Sequence, residues 1–175
     1  MAENDSQPSV EVDISEEVVE PEFDSFTGII TDGFIGAVGG LVGTAVMTAI
    51  LLVGTTLGAF DLNSFAVLAQ LTGVDVLLPS NPAAVGYLIF LGGGMVTWPL
   101  LFVSIGSYLP GENYAARGLP YGFVLWTGFV IAFYDGYVGL LLVVYLVITL
   151  LGHLAYGFAL GAVFDYLSKR PTTLV

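Results

Sequence analysis

VGLLLVVYLVITLLGHLAYGFALGAVFDYL, residues Val138 to Leu167, is the stretch on which the fold turns. It is a long apolar run with the chain's single histidine, His153, at its middle. With no charge before Asp165, it reads as one helix able to cross the hydrocarbon core of a bilayer, about 30 Å thick, at about 1.5 Å per residue. The other apolar stretches then read as its companions.

Composition makes the bilayer the solvent. The 175 residues are 56% hydrophobic and 10% charged, with a mean hydropathy of +0.90, far more apolar than soluble domains of this length. The 23 glycines point the same way, since glycine lets membrane helices approach closely. Charge is concentrated at one end. Glu3, Asp5, Glu11, Asp13, Glu16, Glu17, Glu20, Glu22 and Asp24 all precede the first base, leaving six acids and three bases for residues 27–175. Without a basic leader the N-terminus does not read as a cleaved signal peptide. Residues 1–26 read instead as an acidic, disordered cytoplasmic tail, too poor in apolar surface to offset its ordering entropy. The absence of cysteine excludes disulfides, thiolate metal sites and S-palmitoylation. One histidine and scattered carboxylates predict neither a metal site nor a cofactor, and no nucleic-acid partner is expected. An acid-rich, lysine-poor exposed portion suits a high-salt cytoplasm.

Four spans are expected, at about 33–60, 83–109, 117–134 and 138–167. The first opens with Asp32, placed to cap the helix start. Its pairs Gly36/Gly40 and Gly39/Gly43 have GxxxG spacing and mark one close helix contact. Residues 60–82 are too polar for a span. They predict a short interfacial helix capped by Asp61 or Asn63, with Phe65, Leu68, Ala69 and Leu71 on one side, before a turn at Pro79-Ser80-Asn81-Pro82. In the second span Gly93 belongs to a small-residue face, and Pro99 cannot donate to the Met95 carbonyl, so a kink or a bond from Thr97 should follow. The third span is the shortest, its apolar core about 24 Å long, with Pro120 in its first turn.

The fold class is thus all-α: a polytopic membrane protein whose residues 27–168 form a four-helix transmembrane bundle, with a short interfacial helix between spans 1 and 2. Residues 169–175 make a short cytoplasmic tail. Four crossings put Arg117, Lys169 and Arg170, every base in the chain, on the side of both termini. The positive-inside rule makes that side cytoplasmic, in the cell membrane. Asp32 and Asp165 share this boundary, with Asp165 and Lys169 spaced as a helical ion pair and Arg117 near enough to join either acid.

On a helical wheel Tyr145, Thr149 and Tyr156 lie within about 80° of His153. Together they form a polar stripe about 16 Å long through the middle of the membrane, beside a groove at Gly157 and Gly161. An ionisable group at that depth suits a proton step or a bound ligand. A neutral imidazole bonded to a hydroxyl on a neighbouring helix would instead hold helices together. No GxSxG, HExxH, Walker or dinucleotide-binding pattern occurs in a usable context, so no catalytic residue is assigned.

GGLVGTAVMT in the first span, GGGMVTWPLLF in the second and HLAYGFALGAVFDY in the last together resemble an uncharacterised family of small multi-pass membrane proteins of halophilic archaea, over about residues 33–168. The resemblance implies a halophilic cytoplasmic-membrane protein and brings no activity or site residues with it. Two functions are then expected. The small-residue faces suit a structural or accessory subunit whose partners are the lipid bilayer, other membrane subunits or a second copy of itself. The stripe and the Pro99 kink suit a small transporter or a carrier of protons or a lipophilic ligand. An intramembrane enzyme or quinone-binding unit would need a partner for His153, and enzymatic activity is not expected.

Overall fold

The computed structural model describes residues 23–76 and 79–168, with the side chains of residues 23–30, 32 and 168 outside that description. Among the described residues every regular element is helical. α1 is Phe23–Thr56. A 3-10 turn, Leu62–Phe65, leads into α2, Ala66–Thr72. α3, Pro82–Gly92, runs through a π turn, Gly93–Thr97, into α4, Trp98–Ile105. α5 is Tyr114–Ala132 and α6 is Gly139–Ser168.

Among the described residues, three helical segments are long and apolar enough to cross a membrane: Gly33–Thr56, Pro82–Tyr108 and Gly139–Leu167. Four were expected. α5 has 19 residues but is not among the three, because Arg117, Pro120 and three glycines, Gly118, Gly122 and Gly128, dilute its apolar character.

Some boundaries also move. α1 begins at Phe23, inside the stretch assigned to the tail, so Asp32 lies within the helix rather than at its start. It ends at Thr56 and not near residue 60: the chain turns at Gly58, with φ +71, and tucks Ala59 and Phe60 into the core. α5 begins at Tyr114, where the Asn113 side chain accepts the Ala116 amide at 2.8 Å. Pro120 therefore sits inside the helix, beyond its first turn. Residues 1–22 of the acidic tail, Lys169 and Arg170 lie outside the described residues.

α6 is the central helix. α5 lies antiparallel along one of its faces in a regular register. A β-carbon added to Gly161 would strike the Tyr114 carbonyl, one on Gly118 or Gly157 the other's carbonyl, and one on Gly122 the carbonyl of His153. Trp126 then reaches Thr149 and Tyr145 reaches Val130. Every four residues forward on α5 are met by four residues back on α6, so the same two faces stay in contact from end to end.

α1 lies antiparallel along an adjoining face of α6, with Gly39 against Leu160, Gly43 against Tyr156 and Met47 against Gly152. Gly36 and Gly40 face elsewhere, onto Pro99 and the Gly94 carbonyl. The two glycine pairs expected to share one contact thus serve two neighbours, because a three-residue offset turns them about 60° apart on the helix. Farther along, Thr48 and Tyr87 share a 3.1 Å hydrogen bond. Pro82–Tyr108, α1, α6 and α5 thus neighbour one another in that order, and α5 returns to the Pro82–Tyr108 segment at Tyr121, whose hydroxyl donates to the Trp98 carbonyl at 2.6 Å and whose ring lies 5.1 Å from Phe102.

α2 closes one end. Phe65 is its anchor, with ring centroids 5.7 Å from Phe60, 5.3 Å from Tyr87, 5.0 Å from Phe90 and 5.5 Å from Phe133, and its carbonyl rests on Gly86. Asp61 caps the turn by accepting the Asn63 amide at 2.8 Å. Phe65 and Ala69 point inward, but Leu71, expected on their side, is 74% exposed; it lies on the far flank of the short helix.

Candidate functional site: a lateral cavity walled by His153

The four stripe residues are buried: Tyr145 and Thr149 are 0% exposed, Tyr156 3% and His153 4%. Three of them spend their hydroxyl protons on backbone carbonyls. Tyr145 donates to Val130 at 2.9 Å. Thr149 donates to Tyr145 at 2.7 Å and accepts the Trp126 indole N–H at 3.0 Å. Tyr156 donates to Gly94 at 2.8 Å. The stripe is therefore a set of ties between helices, with no bond running from His153 to Tyr156 or to the Thr149 hydroxyl.

The Gly94 tie follows from the sequence. The Trp98 amide closes the π turn by donating to the Gly93 carbonyl, and Pro99 has no N–H. The Gly94 carbonyl thus lacks both ladder donors that could serve it, and the Tyr156 hydroxyl takes their place. The side-chain bond at the break comes from α6, not from Thr97. The same geometry puts the close contact on Gly94, against Thr44, rather than on Gly93, whose nearest neighbour would be the Trp98 indole at 3.5 Å.

His153 differs from its companions. Nδ1 lies 2.8 Å from the Thr149 carbonyl, and a carbonyl only accepts, so Nδ1 carries a proton. The ring meets Phe129 edge-on, with centroids 4.6 Å apart. Nε2 has no hydrogen-bond partner among the described residues. None of their fully enclosed side-chain polar atoms is unpaired, so Nε2 touches open space. The space that His153 borders is a cavity of about 510 Å³.

That cavity lies between the Pro82–Tyr108 segment and α5, beside the place where the Tyr121 hydroxyl joins the two through the Trp98 carbonyl. Ile89, Phe90, Gly93 and Gly94 form one wall and Leu125, Phe129 and Phe133 the other, with His153, Tyr156 and Met47 at the back. The exposed residues Thr97, Trp98, Val124, Thr127 and Gly128 form its mouth on the flank of the protein. Among the residues that line it, none besides His153 is acidic or basic. The π turn helps to make the opening, since its extra residue and Pro99 shift the wall locally.

The boundary charges are arranged differently from expectation. Asp165 accepts the first free amides of α5, Tyr114 at 3.1 Å and Ala115 at 2.9 Å, capping a neighbouring helix where the dipole favours a carboxylate. Arg117 makes no ion pair with Asp165 among the described residues. Its Nε donates to the Gly111 carbonyl at 3.2 Å, and its guanidinium lies 5.6 Å over the Tyr114 ring. The side chains of Asp32 and the basic pair Lys169 and Arg170 are outside the description. Gly157 and Gly161 line the α5 groove. The sequence reading missed their partners Gly118 and Gly122, although these too have GxxxG spacing, because Arg117 and Pro120 beside them disguise the pattern.

A family model described as a family of unknown function, DUF6789, matches residues 30–175. Neither a curated protein nor a solved structure matches the chain.

Proposed function

The chain belongs to this family of unknown function, and on that premise we propose that it is a cell-membrane protein that binds a lipophilic molecule in the cleft between Pro82–Tyr108 and α5. The observation that carries this reading is the uncommitted Nε2 of buried His153 on the wall of the 510 Å³ cavity. A concave apolar space of about 300–1,000 Å³ with a few convergent polar groups is the usual form of a small-molecule site. An ionisable residue at such depth marks function when packing leaves part of it unused. Of the expected carriers, the proton carrier is not supported, since the stripe hydroxyls end on carbonyls and the cavity wall offers no second ionisable partner of the acid or base kind. The accessory-subunit reading has no observation of its own. The outward apolar side chains of α1, such as Phe34, Val42 and Val53, suit lipid as well as another subunit.

We read α5 as the fourth crossing. Its register with α6 runs from Tyr114 to Val130, about 24 Å at about 1.5 Å per residue, so α5 occupies the depth that α6 does. Both termini and the turn before α5 then lie on the cytoplasmic side with Arg117, Lys169 and Arg170. The acid excess suits a salt-rich cytoplasm such as that of a halophile.

Titration of the full chain in phosphatidylglycerol nanodiscs with 4-nonylphenol, read by the emission of its two tryptophans, Trp98 and Trp126, tests the site. Saturable quenching is expected, and Gly128→Phe, which places a ring at the mouth where an added β-carbon meets nothing, should abolish it. Only linear partitioning, equal to that of protein-free discs, would sink the reading.

A further inference from the structure

The protonation of His153 says which chemical class the cavity takes. Because Nδ1–H is committed to the Thr149 carbonyl, a neutral ring presents a bare lone pair at Nε2. An imidazolium would put an unpaired charge in an apolar space at mid-membrane depth, with no acidic residue among those that line it. The ring is also held. Phe129 packs on it edge-on, and the Thr149 hydroxyl is saturated by Trp126 and the Tyr145 carbonyl. Of the donors that line the cavity, the Tyr156 proton goes to Gly94 and the Thr127 proton to the Val124 carbonyl at 2.7 Å, while the Thr97 hydroxyl and the Trp98 indole stand exposed at the mouth and make no bond to Nε2.

We infer that the occupant supplies the missing proton: the cavity selects an uncharged lipophilic alcohol or phenol, its O–H donating to His153 Nε2 and its apolar body lying between α3 and α5. This rests on the reading of the cleft as a lipophilic-ligand site. A ketone, quinone or ether of the same shape would set lone pair against lone pair and leave Nε2 unsatisfied. A carboxylate or phosphate head would enter a space walled without a base other than this neutral imidazole. The site thus separates two oxidation or alkylation states of one skeleton, hydroquinone from quinone or phenol from methyl ether, by a single hydrogen bond.

The test compares 4-nonylphenol with 4-nonylanisole on the wild-type chain in phosphatidylglycerol nanodiscs, each corrected for partitioning into protein-free discs. The phenol should bind about tenfold more tightly, the ratio one neutral hydrogen bond supports. His153→Phe, which keeps an aromatic ring in place, should bind the two alike. Equal saturable binding of both by the wild type overturns the donor inference while leaving the lipophilic site standing, as it would if a water occupied Nε2. Saturable binding of neither overturns both. The comparison on the wild type is decisive even if the His153 variant does not fold.

Discussion

Thr149 shows how much one residue settles. Its hydroxyl anchors Trp126 of α5 and its carbonyl fixes the His153 ring. Thr149→Val removes the first and keeps the second, because the carbonyl belongs to the backbone. We expect a loss of about 1 kcal/mol in stability, the usual size of a membrane side-chain hydrogen bond, and a shift in Trp126 emission, with the preference for the phenol intact. Unfolding in mixed micelles and emission spectra check this; unchanged values in both would refute the Trp126 bond. Tyr156→Phe removes the only side-chain donor to the Gly94 carbonyl among the described residues and leaves a buried acceptor unpaired. A destabilisation of about 1–3 kcal/mol is expected by the same unfolding assay, larger than for Thr149→Val.

At the scale of elements, glycines that look alike in the sequence do different things on α5. Gly118 meets the Gly157 backbone, whereas a β-carbon on Gly128 meets nothing within 4 Å. Gly118→Ala should force α5 away from α6 and lower the unfolding temperature. Gly128→Ala should be neutral or stabilising, by up to about 1 kcal/mol, from helix propensity alone. Equal effects of the two would contradict the register. The GxxxG pairs were legible in sequence as places of close approach. Which helix each pair meets was not, because spacing gives a face and not the identity of what lies opposite. Asp165 illustrates the same limit: nothing in its local spacing announces that its carboxylate caps α5, 51 residues away from Tyr114 in sequence.

For the whole molecule, the number of crossings decides the topology. The chain has no cysteine, so single cysteines report it without background. With α5 as a crossing, Glu112→Cys should react with an impermeant maleimide from the cytoplasmic side, and Val76→Cys and Asp135→Cys only from the opposite side. If Glu112→Cys and Asp135→Cys react from the same side, α5 does not cross and only the three apolar segments do. Helix directions already alternate through the molecule, since α1 and α5 both lie antiparallel to α6 and the Tyr87–Thr48 and Pro99–Gly36 contacts make Pro82–Tyr108 antiparallel to α1. The short connections on either side of α5 suit that alternation, while α2 fills the longer one between α1 and α3.

By itself the sequence determined the helical class, the three strongly apolar segments, the short helix between the first two, and the place of the proline break. These are local properties: a bilayer demands length, apolarity and internally paired backbones, and each can be read within one segment. It also picked out His153, because an ionisable residue in such a run is conspicuous on its own. Only the tertiary structure decided that the Tyr and Thr hydroxyls are ties and not a path, that α1 starts at Phe23, and that a cleft lies between Pro82–Tyr108 and α5. Those facts depend on which carbonyls lose their ladder partners and on where neighbouring helices leave a gap between their contacts. The free nitrogen of His153 depends on them in turn, since it is defined by the Thr149 carbonyl on one side and by the space left open on the other.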